Sequence, residues 1–350
     1  MRRIPVFFFL ILLLFALTGC GNVLYLSKLG WHQSRIAHDS APVEEILQDE
    51  GLNADIREKI QFIQEVKHFG EERLGLTRTK NYSTFFETRG SILHVVTAAE
   101  KDRLQHYTWT FPVVGKVTYK SFFTQEGALE EKGKLDVKGY DTFVSPVDAY
   151  STLGWFRDPI FSSMLLWDEV VLANLILHEM THATVYFTGK TDFNEQLATF
   201  IGNQGAIRFL EEKYGSGSKE VVKAVQIRED DLLFSDWIDQ AFQRLARYYD
   251  RTDSRDEKLK GREELFQSFK EEFRQIRYQF KSGIYLGFEK SDLNNAVLLA
   301  YHRYVQKLNR FQALYDGVGR DLRKVIEIFK NVKATGKDPA IFLEEAGSIP

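Results

Sequence analysis

The chain has one cysteine in 350 residues, Cys20, so no intramolecular disulfide can form and a disulfide-built fold is excluded. It has no excess of either charge: 46 Lys and Arg stand against 49 Asp and Glu, a net of −3, and no basic stripe accompanies the aromatics. Nucleic acid is therefore not an expected partner. There is no internal repeat and no Gly-x-Ser-x-Gly elbow for a serine hydrolase. Gly215-Ser216-Gly217-Ser218 is followed by no Gly-Lys-Ser/Thr and reads as a turn, and no glycine-rich dinucleotide fingerprint follows a strand. Proline is sparse at 7 and histidine at 8. What is plentiful is aromatic, 28 Phe and 15 Tyr in a chain 44% hydrophobic and 27% charged. That is ordinary globular composition, long enough for a sizeable aromatic-rich core.

The N-terminus carries Arg2 and Arg3, then an uncharged apolar run from Ile4 to Leu17. The run is short for a membrane span and fits a signal-peptide core. It ends in Leu17-Thr18-Gly19-Cys20, which resembles the lipobox of bacterial lipoproteins. That resemblance implies a diacylglycerol on the Cys20 thiol, cleavage before it, and a cell-envelope protein held to a membrane by lipid, on the periplasmic side in a Gram-negative host. A lipidated Cys20 also excludes cysteine catalysis. The expected organisation is a signal peptide over 1–20, a tether over 21–40 and a single unit over 41–350. Within that unit, 41–215 carries a sheet and a metal-binding helix, and 216–350 is helical.

Periodicity predicts a fold of the α+β class, mainly helical. Ile56, Ile60, Ile63, Val66 and Phe69 recur at helical spacing within a helical stretch from Pro42 to Leu76. Segments 91–98, 108–114 and 116–123 are rich in Val, Thr, Tyr and Phe and read as a small sheet, with 141–147 as a further strand. A short helix is expected over 128–139. The absence of Gly and Pro from Phe161 to Phe187 predicts one long buried helix, and a second runs to about Tyr214. Further helices over 219–281 turn Trp237, Phe242, Leu245, Phe266, Phe269 and Phe273 inward, separated by a solvated loop at 251–260. A last helical set covers 291–346.

The chemistry concentrates in His178-Glu179-Met180-Thr181-His182. On a helix, positions i and i+4 share a face, so His178 and His182 can place two imidazole nitrogens on one Zn²⁺. Glu179 sits about 100° around the axis, where it can take a proton from a water activated by the metal. A catalytic zinc usually takes three protein ligands. Glu195, early in the next helix, is the best third. The Asn194-Glu195 pair opening that helix resembles gluzincin metallopeptidases, whose second helix carries a ligand Glu. The alternative is that Asp192 caps the helix and Glu195 completes a capping box. The position four after Glu195 is Thr199, so support for the ligand imidazoles is expected from Thr199, Asp192 or elsewhere.

A wider resemblance rests on Phe111-Pro112-Val113-Val114-Gly115-Lys116-Val117-Thr118-Tyr119, on Ala149-Tyr150-Ser151-Thr152-Leu153-Gly154-Trp155-Phe156, on the 178–200 block and on Asn294-Asn295-Ala296. Across most of the mature chain the sequence resembles a bacterial putative-aminopeptidase family of zinc lipoproteins. The resemblance implies one Zn²⁺ held by His178, His182 and Glu195, with Glu179 as base, in a zincin-like fold with a small sheet beside the active-site helix. It implies a peptide substrate, cleaved as an aminopeptidase would. The Gly-x-Met-Glu-Asn segment with which many zinc aminopeptidases hold the substrate amine is absent. Asp148 and Asp158 are the available acidic candidates for that role. The oxyanion donor is sought among Tyr150, Tyr301 and Tyr304, and residues 141–154 as an edge strand for an extended peptide. Two other readings stand beside this one: a non-catalytic peptide-binding envelope lipoprotein with a structural zinc, and a zinc amidase acting on cell-wall peptides. Glu179 favours an enzyme, because a structural site has no need of a base.

Overall fold

A computed structural model describes residues 25–88, 92–111, 115–147, 157–251 and 254–346. Cys20, Asp148 and Tyr150 lie outside these residues, as does the whole of the 149–156 sequence signature. The fold is α+β and mainly helical.

Residues 25–39 form helix α1, where the sequence reading has a tether. The helix is held by its own aromatics. Tyr25 packs on Phe111 and Phe122 with ring centroids 5.5 and 5.6 Å apart, and its hydroxyl donates to the Ser121 carbonyl. The stretch 42–76 is also not one helix. After strand β1 (Ala41–Pro42) come α2 (Val43–Gln48) and α3 (Ala54–Phe69), divided where the Asn53 side chain accepts from the Asp55 and Ile56 amides. Such an N-cap satisfies donors that the first helical turn leaves open and so fixes a helix start.

The strands form three small sheets. β2 (Thr84–Phe86) pairs antiparallel with β1 and parallel with β8 (Ile160–Phe161). β4 (Trp109–Phe111) and β5 (Gly115–Val117) make a hairpin pair. The third sheet has β3 (Leu93–Ala99) at its centre, antiparallel to β6 (Tyr119–Phe122) on one side and to β7 (Asp141–Val147) on the other, with Val96 opposite Lys120 and Val144. The expected strand over 116–123 is thus divided at Thr118 between two sheets, and among the described residues β7 is an edge strand. One face of the third sheet packs on α4 (Gln125–Val137), burying Val96, Ala98, Ala128 and Leu135 in a small core of their own.

The helices beyond carry the main core. They are α5 (Glu169–Thr184), α6 (Thr191–Tyr214), α7 (Lys219–Arg251), α8 (Arg255–Ile276), α9 (Asn295–Val305), α10 (Leu308–Gly317), α11 (Leu322–Thr335) and α12 (Pro339–Ala346). One apolar cluster joins Leu177, Phe234, Phe311, Phe329 and Leu343 across this set and extends to Ile36 of α1 and Ile63 of α3. The presumed loop at 251–260 is mostly helix: α7 runs through Arg251, and Ser254 caps α8 by accepting from the Glu257 amide. Sheet and helices are stitched by a buried ion pair. Arg262 on α8 donates to both Asp141 oxygens on β7 at 2.7 and 3.1 Å and to the Lys101 carbonyl, while the Asn295 amide also donates to Asp141. The fork geometry of guanidinium on carboxylate is what makes burying both charges tolerable.

Candidate active site

The helix that carries the His pair is shorter than the Gly- and Pro-free run suggests. Residues 160 and 161 are drawn into β8, and a 3-10 turn follows over Ser162–Leu166. The Ser163 amide donates to the Thr88 hydroxyl, which holds that turn against the chain after β2. Asp168 then starts α5, accepting from the Val170 and Val171 amides at 3.0 and 3.2 Å. α5 ends at Thr184, whose hydroxyl returns to the Met180 carbonyl. The two histidines therefore lie in its last two turns, where the helix dipole favours positive charge.

α6 crosses close to α5, and glycine permits it. A Cβ on Gly202 would stand 2.9 Å from the Asn174 carbonyl oxygen and 3.3 Å from His178 Cβ; one on Gly205 would stand 2.8 Å from the Leu177 side chain. The loop between the helices is clamped by Asn194, which accepts from the Phe187 amide at 2.8 Å and donates to the Phe187 carbonyl at 2.9 Å. Glu195 is the next residue and is thereby delivered to the His pair. Asp192 does not cap α6. The helix starts after Lys190 with no side-chain cap, and Asp192 pairs instead with the buried Arg303 of α9 at 3.2 Å. The capping-box alternative for Glu195 is overturned by this geometry.

Three donor atoms converge. His178 Nε2 and His182 Nε2 are 3.1 Å apart, and Glu195 Oε2 lies 3.3 and 3.4 Å from them. Donors at zinc bond lengths on a tetrahedron are about 3.4 Å apart. Two imidazole nitrogens facing each other at this distance cannot both carry a proton, whereas both lone pairs can serve one cation. Two imidazoles and one carboxylate are a set that could hold a Zn²⁺ and leave a fourth position open. Among the described residues, this is the group of His, Cys, Asp and Glu whose ligand atoms come together. His182 Nδ1 is buried and finds no hydrogen-bond partner among the described residues, and Thr199 stands one turn away along α6. Neither Asp192 nor Thr199 forms the expected support for His182.

Glu179 is buried beside these donors. Burial pushes its carboxyl above the ordinary range, the two imidazoles pull it down, and Glu195 pushes it up again. Glu195 has the opposite outcome: burial raises it, but His182 and His178, by charge and hydrogen bond, hold it well below the usual carboxylate range. Burial disfavours charge on His182, yet Glu195 and then Glu179 prevail and raise it. Two neighbouring carboxyls pushed apart in this way are suited to different tasks, one anionic and one able to exchange a proton.

Tyrosines surround the donors. The Tyr304 ring centroid lies 6.4 Å from that of His178, and the Glu195 charge followed by burial holds the phenol protonated far above its ordinary range. Tyr304 nonetheless exposes 42% of its surface, so it faces solvent on one side and the carboxylate on the other. Tyr186, four residues after His182 and just past the end of α5, has its ring 6.5 Å from that of His182, and Tyr119 at the start of β6 lies under the Arg303 guanidinium at 5.1 Å. Both phenols are raised by burial and then by Glu195. Tyr301 is not at the site, because its ring packs between Phe234 and Phe288. Asp158 is buried against Asn81, which donates to its carboxylate at 3.1 Å, and its carbonyl accepts from the Tyr82 amide; it clamps a loop.

Sequence reasoning did not assign site roles to Tyr119, Tyr186 or Arg303, and it named Asn194 only as the partner of Glu195 at the start of the helix. Tyr186 continues the i, i+4, i+8 series of His178 and His182 and was findable. Tyr119 and Arg303 come from distant segments and carry no such signal.

Comparison with curated proteins and with solved structures gives no match. A family model described as Putative aminopeptidase matches residues 24–340, which includes β6, both helices of the donor set and Tyr304. The chain belongs to the Putative aminopeptidase family.

Proposed function

We propose that this protein is a zinc-dependent peptidase of the cell envelope, acting as an aminopeptidase. The observation that carries the reading is the donor triangle of His178, His182 and Glu195 with a buried, proton-avid Glu179 next to it. Zinc, when bound there, supplies Lewis acidity toward a peptide carbonyl and a water.

The chain's own residues do the rest. Glu179 takes the proton of the attacking water and returns it to the departing amine. The Tyr304 hydroxyl, kept protonated by Glu195, donates to the oxygen of the tetrahedral centre as charge develops on it. Tyr119 and Tyr186 close the other sides and limit water. The β3-centred sheet, with β6 bringing Tyr119 to the site, is the part we equate with a zincin sheet; its free edges offer backbone groups to an extended peptide.

The test is metal content with turnover. The mature chain should hold about one zinc, the His178→Ala variant should lose it, and Glu179→Gln should keep it while peptide hydrolysis falls by about 10²–10⁴-fold. Equal zinc in wild type and His178→Ala would remove the site assignment. Hydrolysis of cell-wall muropeptides but not of free peptides would move the substrate class to the amidase reading.

Residues 1–20 supply the address in this proposal, with a lipid on Cys20 as the anchor. No helix of the described residues is long and apolar enough to cross a membrane. Cys20→Ser should shift the protein from the membrane fraction to the soluble one; if it stays with the membrane, the lipid anchor is the wrong reading.

A further inference from the structure

A cavity of about 200 Å³ opens between α5, α6 and α7, outside the donor triangle. Its apolar walls are Val170, Val171, Ala206, Ala224, Ile227 and Ile284. Helical spacing joins it to the donors. Asn174, which lines it, precedes His178 by one turn, and Thr199, which also lines it, follows Glu195 by one turn. The same faces of α5 and α6 thus run from the donors into the cavity.

One wall is acidic. The buried Asp231 of α7 accepts from the Tyr285 hydroxyl at 2.6 Å and from Asn203 Nδ2 at 2.6 Å, and Asn203 in turn accepts from Asn174. Both partners of the carboxylate are neutral, and no Lys or Arg lines the cavity. The adjacent Asp230 is engaged elsewhere, on the Lys281 and Ser282 amides and the Ser282 hydroxyl. A buried carboxylate without a cation is costly, and burial pushes Asp231 up to about 6. An ammonium on an aliphatic stem meets both demands, its methylenes lying along the apolar walls and its charge at Asp231.

Stem chemistry decides which amine. A peptide's α-amine lies within about 3.8 Å, one residue length, of the carbonyl being attacked and carries no methylenes of its own. A lysine side chain carries four, which match the apolar walls beside Asp231.

We propose that this cavity is a side-chain subsite for a lysine-type residue flanking the scissile bond, with Asp231 receiving its ammonium. The proposal rests on the peptidase reading for its substrate class, so its test separates binding from turnover. Affinities of the zinc-loaded Glu179→Gln protein are measured by calorimetry for two series of alanine peptides, one with a single lysine and one with norleucine, the residue stepped through every position. At one position lysine should bind tighter by about ten- to a hundredfold, the range of one charge-assisted hydrogen bond. Adding Asp231→Asn should erase that preference, and Ala224→Leu, which fills the cavity from α7, should weaken both peptides and the preference with them. Equal affinity of lysine and norleucine at every position, or a preference that survives both substitutions, overturns the proposal. The same peptides given to the wild-type chain test hydrolysis on its own: Asp231-dependent binding without cleavage keeps the subsite and rejects the peptidase.

Discussion

Tyr304 and Asp231 show how much a single residue's surroundings decide. Tyr304 is one of two aromatics near the end of α9 that sequence reasoning offered as oxyanion donors, and its companion Tyr301, three residues earlier, is spent in the Phe234–Phe288 packing. Tyr304→Phe removes only the hydroxyl. If that hydroxyl donates to the reacting oxygen, kcat should fall by about 10²–10³-fold with KM little changed; an unchanged kcat would pass the role to Tyr119 or Tyr186. Asp231 yields a stability prediction of defined sign. Burial raises its pKa, the Tyr285 and Asn203 hydrogen bonds oppose this, and Asp230 adds to it, for a folded value of about 6 against 3.8. The folded state therefore binds the proton more tightly than the unfolded chain. Its contribution is fully present below pH 3.8 and is lost as pH rises to about 6, an effect of about 3 kcal/mol at the standard conversion. Thermal melts of wild type and Asp231→Asn should show the variant gaining on wild type from pH 4 to 7. A gap independent of pH would mean that Asp231 stays ionised throughout.

At the scale of elements, the α5–α6 contact governs the site. The His pair is written into one helix by its spacing, but Glu195 reaches it only because α6 lies close enough, and Gly202 sets that distance. Gly202→Ala places a methyl against the Asn174 carbonyl at 2.9 Å, and backbone cannot yield as a flexible side chain can. The helices should part by some tenths of an ångström, with a loss of about 1–3 kcal/mol in stability and a larger loss in zinc affinity than at a glycine away from the crossing, such as Gly133. Zinc affinity equal to wild type would show that the donors adjust independently of the crossing. Helix existence was legible in the sequence at α3, where apolar residues recur at helical spacing, and at α5, where a long apolar run lacks Gly and Pro. Helix starts were not. The run free of Gly and Pro from 161 to 187 concealed both a strand, formed because β2 offers a parallel partner, and a cap at Asp168. Neither is visible to a count of helix breakers.

Among the described residues, two larger apolar clusters, with a small third one of Ala99, Ala296 and Leu299, are held together by polar stitches. The largest spans segments from Ile36 to Leu343, and the second sits between the β3-centred sheet and α4. Arg262, Asp141, Asn295 and Tyr249 tie one to the other through buried hydrogen bonds, which a substitution of either charged partner would leave unsatisfied. The N-terminal segment expected to be a mere tether contributes α1 to the sheet side, because Tyr25 finds Phe111, Phe122 and Ser121, residues some 90 positions away. Nothing local in 21–40 announces that contact.

The sequence alone determined the residue types of the site and their order: two imidazoles one helical turn apart, a carboxylate between them, another in the following helix, and an aromatic-rich, mainly helical chain around them. Those follow from spacing and composition, which are local. The tertiary structure decided which carboxylate stands at 3.3 and 3.4 Å from the imidazoles, which tyrosine faces them, and that a cavity lined by Asp231 lies between α5, α6 and α7. Each of these joins side chains from helices and strands far apart in the chain. Such meetings depend on how closely glycine lets backbones approach and on where buried polar groups find partners, and neither is encoded at any single position.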